Sequence, residues 1–284
     1  MPVSRTPEVA GGSVRHAAVL GHPIDHSRSP DLHLAAYRAL GLDGWTYDRI
    51  DCTEDRLPAL VDALDESWVG LSVTMPAKVA ALRHADTTTD RARLVGSSNT
   101  LVRTASGGWH ADCTDIDGVT GALARIGVTD LTSRDAILLG AGGTARPALA
   151  ALHAAGVAEV GVVVRDAARA GDLRQLADDL GVAVVVLPFE DAPELRDRCA
   201  RAGVVVSTVP VAAAAVIADA VASTTHLVDA IYDPWPTPLA SAVEAGGGVV
   251  AGGLVMLVNQ AYAQVEAFTG RPAPRAEMAA VVGL

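Results

Sequence analysis

The sequence predicts an α/β protein made of two successive units, each built on a parallel sheet. Three observations predict it. Short apolar runs alternate with amphipathic stretches along most of the chain, which is the pattern of strand–helix–strand units. Half of the 284 residues are hydrophobic and 19% are charged, so the chain has core enough for one large or two medium domains and is not disordered. The segment Gly140-Ala141-Gly142-Gly143-Thr144-Ala145 stands between an apolar run and a helical pattern, where a tight strand-to-helix turn needs glycine. Only 4% of the residues are aromatic, so the cores must be Val, Leu, Ile and Ala.

In the first unit, 17–20 reads as a strand ending at Gly21. Ser29-Pro30 opens a helix, with Ser as cap and Pro in the first turn, and Leu32, Ala35, Ala36, Ala39 and Leu40 share one face before Gly41 stops it. A strand at 45–50, a helix at 57–64 and a strand at 69–73 follow, then Thr74-Met75-Pro76, a helix around 77–82 and a strand at 99–102. A second unit begins after about residue 116. It comprises a helix at 118–125, strand 136–139, the glycine turn, helix 146–155, strand 160–164, helix 167–180, and strands at 182–186, 204–207 and 227–229. Residues 251–269 read as a long helical segment.

Composition excludes several classes. The net charge of −11 argues against a nucleic-acid surface. Mean hydropathy is +0.30, yet the longest uncharged stretch, 245–265, holds five glycines and a short apolar heart, and the run 209–218 is too short to span a bilayer. The N-terminal MPVSRTPEVAGGSVRH lacks the apolar block of a signal peptide. Cys52, Cys113 and Cys199 are scattered and odd in number, so reduced thiols in a cytoplasm are expected and no zinc site. His22 and His26 are separated by Pro23 and do not share a helix face, so no metal is expected there.

Residues 140–145 match G-x-G-x-x-[GA]. Glycines allow close backbone approach, and the helix start offers N–H groups and a positive dipole end to a pyrophosphate. Alternatively, the segment is a turn with no ligand. After the next strand, Arg165 and Arg169 suit a ribose 2′-phosphate through bidentate contacts, which favours NADP, whereas an Asp166 turned to the ribose would accept NAD.

The chain has 21 Arg and one Lys, Lys78. A lysine ammonium can exchange its proton where a guanidinium cannot, so the sole lysine is a candidate for acid–base chemistry. It follows Pro76 at a strand-to-helix turn, where a parallel sheet opens its crevice. Asp112, Asp115 and Asp117 crowd one segment at the junction of the units, and any of them could hold a substrate hydroxyl on which that lysine acts. Ser27 and Ser29 place two hydroxyls at a helix start, a combination that binds a carboxylate or merely caps the helix.

These segments, taken together and in order from Gly21 to about Pro274, resemble the shikimate dehydrogenase family. Gly21 to Pro30 resembles its carboxylate-binding segment, with Ser27 and Ser29. Val73-Thr74-Met75-Pro76-Ala77-Lys78 resembles the segment of its catalytic lysine, and Thr114-Asp115 the end of the motif whose Asp pairs with that lysine. Ser98-Asn99-Thr100, Tyr232-Asp233 and Asn259-Gln260-Ala261 resemble further site segments. The resemblance implies catalytic Lys78 and Asp115, and substrate contacts from Ser27, Ser29, Thr74, Asn99, Tyr232 and Gln260. It implies an NADP site at Gly140, Ala141, Gly142, Gly143, Thr144, Ala145, Arg165, Arg169 and Gly253. It also implies an N-terminal substrate domain over 1–117 completed by 251–284, a Rossmann-type NADP-binding domain over 118–250, and an active site in the cleft between them. The implied reaction is the reversible NADPH-dependent reduction of 3-dehydroshikimate to shikimate in aromatic amino-acid biosynthesis, by a cytoplasmic monomer or homodimer. Cys113 stands where the family motif carries Asn, and Val164 where it carries another Asn. The alternatives are a quinate/shikimate dehydrogenase using NAD and a weakly active NADP-binding paralogue.

Overall fold

Two six-stranded sheets organise the chain in this computed structural model, which describes residues 14–284. The expectation that no leader occupies the N-terminus falls mainly outside the described residues. The first sheet holds β1 (Arg15–Gly21), β2 (Trp45–Asp51), β3 (Trp68–Val73), β4 (Thr87–Thr88), β5 (Thr100–Arg103) and β6 (Trp109–Asp112), in the order β2-β1-β3-β5-β6-β4. β1 runs parallel to β2 and β3, but β5 is antiparallel to both β3 and β6. The sheet is therefore mixed, not wholly parallel as the alternation predicted. The cause is local: only Thr104 to Gly108 joins β5 to β6, Thr104 N–H closes on the Gly108 carbonyl at 2.9 Å, and Gly107 takes φ +90°. So short a connection permits only antiparallel pairing.

The second sheet holds β7 (Ala136–Leu139), β8 (Glu159–Val164), β9 (Ala183–Pro188), β10 (Val204–Ser207), β11 (His226–Asp229) and β12 (Val249–Ala251). All its pairings are parallel, in the order β12-β11-β10-β7-β8-β9. Numbered from β7, that is the doubly wound order 3-2-1-4-5-6, with a crevice at the C-terminal ends of the strands where the winding reverses. β7 is the central strand, and all four of its residues are buried. The glycine turn follows it directly. β12 and the helices Pro193–Arg201 and Pro238–Ala245 were not legible as elements, and the last long helix starts at Gly253, after β12. The stretch 167–180 begins as a 3₁₀ turn, Ala167–Ala170, before the helix Gly171–Leu180.

The helix Gly253–Thr269 ties the two units together. Val255 and Met256 pack into the core of the second sheet, whereas Val258, Ala261, Val265 and Phe268 pack with Ala17, Val19 and Leu32 on the first. It crosses the helix Asp115–Arg125 at two glycines. A Cβ on Gly118 would sit 2.8 Å from the Met256 carbonyl oxygen, and one on Gly121 2.1 Å from Asn259 Cγ. This close crossing brings Gln260 beside the first turn of Asp115–Arg125. No helix among the described residues is long and apolar enough to cross a membrane.

Candidate active site

Lys78 is the first residue of the helix Lys78–His84, set by the turn that ends β3. Asp115 is the first residue of the helix Asp115–Arg125, whose dipole favours a carboxylate at that end. Their side chains meet: Lys78 Nζ donates to Asp115 Oδ2 at 2.6 Å, with side-chain exposures of 11% and 14%. A pair this buried adds little net stability, but losing one partner strands a charge. Its place at a cavity wall points to chemistry.

Asn99 holds the carboxylate from the other side. Its amide nitrogen donates to Asp115 Oδ1 at 3.0 Å and to Gln260 Oε1 at 3.1 Å, while its amide oxygen accepts from Thr114 N–H at 2.7 Å and Thr100 Oγ1 at 3.0 Å. Gln260 Nε2 is fixed on the Leu257 carbonyl at 3.0 Å. Both Asp115 oxygens are thus engaged, one by an ammonium and one by an amide.

Ser27 and Ser29 are buried at the start of the helix Ser29–Ala39. Arg49 Nε donates to the Ser27 carbonyl at 2.9 Å and locks that loop onto β2. Behind it, the buried Tyr47 hydroxyl donates to Ser72 Oγ at 2.6 Å, and Ser72 donates to Gln264 Oε1 at 2.7 Å. Burial pushes the Tyr232 phenol up, against an opposing backbone bond from Arg28. A cavity of about 180 Å³ lies between the two units. Ser27, Ser29, Thr74, Lys78, Asn99, Asp115, Tyr232 and Gln260 all line it, and so do Thr144 and Gly253 of the expected cofactor set.

The other nucleotide-motif residues lie outside that cavity. Gly140 takes φ +100°, where a Cβ would also meet Thr208 Oγ1 at 2.8 Å. A Cβ on Gly142 or Gly143 would meet nothing within 4 Å, so the backbone there faces open space. The helix Ala145–Ala154 starts with no side-chain cap and no acid in its first turn, which leaves its positive end to a ligand. Ala141 and Ala145 pack inward on the core and can offer only backbone. Arg165 and Arg169 are exposed, and among the described residues neither forms an ion pair. Asp166 Oδ1 instead accepts from Ala168 N–H at 2.9 Å, capping the 3₁₀ turn. Asp166 thus gives one of its oxygens to the backbone, and among the described residues neither guanidinium has a carboxylate partner. These residues fit a phosphorylated dinucleotide.

Comparison with known proteins agrees. The shikimate dehydrogenase substrate binding domain matches residues 19–101, the shikimate / quinate 5-dehydrogenase family residues 122–229, and the shikimate 5′-dehydrogenase C-terminal domain residues 253–282. Shikimate dehydrogenase (NADP(+)) of Caulobacter vibrioides is 38% identical over 275 residues, 94% of each chain. The chain belongs to the shikimate dehydrogenase family. Among solved structures, a shikimate 5-dehydrogenase from Mycobacterium fortuitum is 56% identical, with TM-score 0.86, over 95% of this chain and 98% of that one. Shikimate dehydrogenase of Mycobacterium tuberculosis is 53% identical, with TM-score 0.88, over 94% and 98%.

Within this family member the acidic cluster divides cleanly. Asp115 faces Lys78, whereas Asp112 and Asp117 bind Arg91. Cys113 is fully buried in the core, its thiol pushed up to about 12 mainly by burial, and it does not line the cavity. Ser72 and Gln264 line the cavity and were not singled out from the sequence. Gln264 had a signal: it follows Gln260 by four residues on a mostly apolar helix, so the two amides share a face. Ser72, inside a buried strand, had none.

Proposed function

We propose that the protein catalyses the reversible NADPH-dependent reduction of 3-dehydroshikimate to shikimate. The observation that carries this reading is the buried Lys78–Asp115 pair on the wall of a cavity that also holds two serine hydroxyls and Thr144 of the nucleotide turn. Ser27 and Ser29 bind the substrate carboxylate at a loop that Arg49 fixes. Thr74, Asn99, Tyr232 and Gln260 contact the ring hydroxyls and orient the reacting carbonyl between them and Lys78. The backbone of Gly140 to Ala145, with Gly253, would hold NADP, and Arg165 and Arg169 would hold its 2′-phosphate. When bound, the nicotinamide supplies or accepts the hydride. Lys78 donates a proton to the carbonyl oxygen as charge develops there, and takes it back in the reverse direction. Asp115, steadied by Asn99, keeps the ammonium aimed at that oxygen. Acid–base help of this kind contributes roughly 10²- to 10⁴-fold.

We propose the division into 1–117 with 251–284 and 118–250; the two separate sheets support it, although its boundaries fall inside the helix Asp115–Arg125 and inside β12, whose Ala251 pairs in the second sheet. The three cysteines are free and buried, which supports a reducing cytoplasm. The test is a nicotinamide absorbance assay with shikimate and quinate against NADP and NAD. Turnover with shikimate and NADP as the best pair supports the reading. Preference for quinate with NAD, or turnover with no pair, overturns it.

A further inference from the structure

The geometry points to Arg91 as a positioning residue for the catalytic carboxylate, acting by clamping both ends of the turn that carries Asp115. Arg91 Nε and Nη2 donate to Asp112 Oδ1 and Oδ2 at 2.7 and 2.6 Å. Its Nη1 donates to both oxygens of Asp117, at 2.9 and 2.8 Å. Asp112 ends β6, and Asp117 lies in the first turn of the helix Asp115–Arg125. One planar guanidinium therefore pins the chain on either side of Cys113, Thr114, Asp115 and Ile116. Thr89 adds a hydroxyl donor to Asp112 Oδ1 at 2.8 Å, and Cys113 N–H donates to the same oxygen at 2.8 Å.

The clamp stands outside the cavity: Arg91, Asp112 and Asp117 do not line it. It touches no reacting atom and acts only through where it puts Asp115. Its charge matters as well as its shape. Burial alone would raise the Asp112 carboxyl, but bonds from Arg91 and Thr89 outweigh it and hold the group below the usual range. Burial raises Asp117. Among the described residues Arg91 is the only ion-pair partner of both. Without it, two uncompensated carboxylates would flank Asp115, one at the end of β6 and one in the first turn of its helix. A shift of about 1 Å in a catalytic group can cost about 10² in rate.

The inference rests on Lys78 and Asp115 being the catalytic pair, and the test separates the two claims. In Arg91→Gln, kcat for shikimate oxidation should fall about 10- to 100-fold, with the KM values for shikimate and NADP within about threefold of the parent. Arg91→Lys, which keeps a charge but not the fork, should recover only part of the loss. In a Lys78→Met background, Arg91→Gln should cost less than about twofold, because the pair it serves is already broken. Parent-like kcat in Arg91→Gln, with Lys78→Met inactive, overturns the clamp alone. Full multiplication of the two losses overturns it as well. Near-normal turnover in Lys78→Met overturns the catalytic reading beneath it. Should Arg91→Gln not fold, Arg91→Lys and Asp117→Asn carry the same comparison.

Discussion

Replacing Asn99 by Asp changes one amide nitrogen to an oxygen at almost constant volume, in the most densely bonded position of the site. That nitrogen now donates to Asp115 Oδ1 at 3.0 Å and to Gln260 Oε1 at 3.1 Å. Both contacts would become oxygen against oxygen. Two unit charges 3.0 Å apart repel by about 5 to 6 kcal/mol at an effective dielectric near 20. Lys78 can balance only one of the two carboxylates, so the pair relieves itself by keeping a shared proton well into the neutral range. Asn99→Asp should therefore lower kcat/KM by roughly 10²-fold near neutrality and move the acid limb of the profile upward by about one pH unit or more. The assay is shikimate oxidation followed between about pH 5 and pH 10, with Asn99→Ala as the control that loses the amide without adding charge. A parent-like acid limb, with rates within about threefold of the parent, would show that Asn99 does not hold the Asp115 carboxylate during the reaction.

Further predictions follow from the packing and the buried groups. His33 is fully buried; burial lowers it to about 3 against an opposing bond to Gln264, and its Nδ1 has no partner. The unfolded chain takes up that proton near pH 6.5 and the folded chain does not, so stability is complete above about pH 6.5 and falls as pH drops toward about 3, by about 2 kcal/mol between pH 7 and pH 5. Urea unfolding at both pH values should show a shallower loss for His33→Phe, and equal slopes would contradict the assignment. Gly118→Ala forces a Cβ to 2.8 Å from the Met256 carbonyl, so thermal unfolding should show a loss of about 1 to 3 kcal/mol; an unchanged midpoint would mean that the helices can separate freely. Arg165→Ala should raise the KM for NADPH and leave that for NADH unchanged; equal effects on both would exclude a 2′-phosphate contact.

What could be read from the chain was local. The glycine turn, the serines before Pro30, Lys78 after Pro76 and Asp115 at a helix start are each written in a few consecutive residues. The cavity is lined by the six residues expected at the substrate together with Lys78 and Asp115. Contacts joining distant segments were not readable. Arg91 is 21 and 26 residues from the carboxylates it binds, and Ser72 is 192 residues from Gln264. The mixed first sheet escaped because β6, the other arm of the hairpin, is four residues long and was not read as a strand, and because periodicity gives no strand direction. β12 escaped because its three residues merge into the apolar stretch that follows. Among the three aspartates, charge alone could not rank them, and the choice of Asp115 came from the family resemblance.

One ammonium, that of Lys78, held by the Asp115 carboxylate, moves the proton in the proposed reaction. Steady-state kinetics of Lys78→Ala with shikimate and NADP test it most directly, with Lys78→Arg alongside to retain the charge without the proton exchange. In both variants kcat should fall by roughly 10² to 10⁴ while KM changes far less. Near-normal turnover in a folded Lys78→Ala would contradict it.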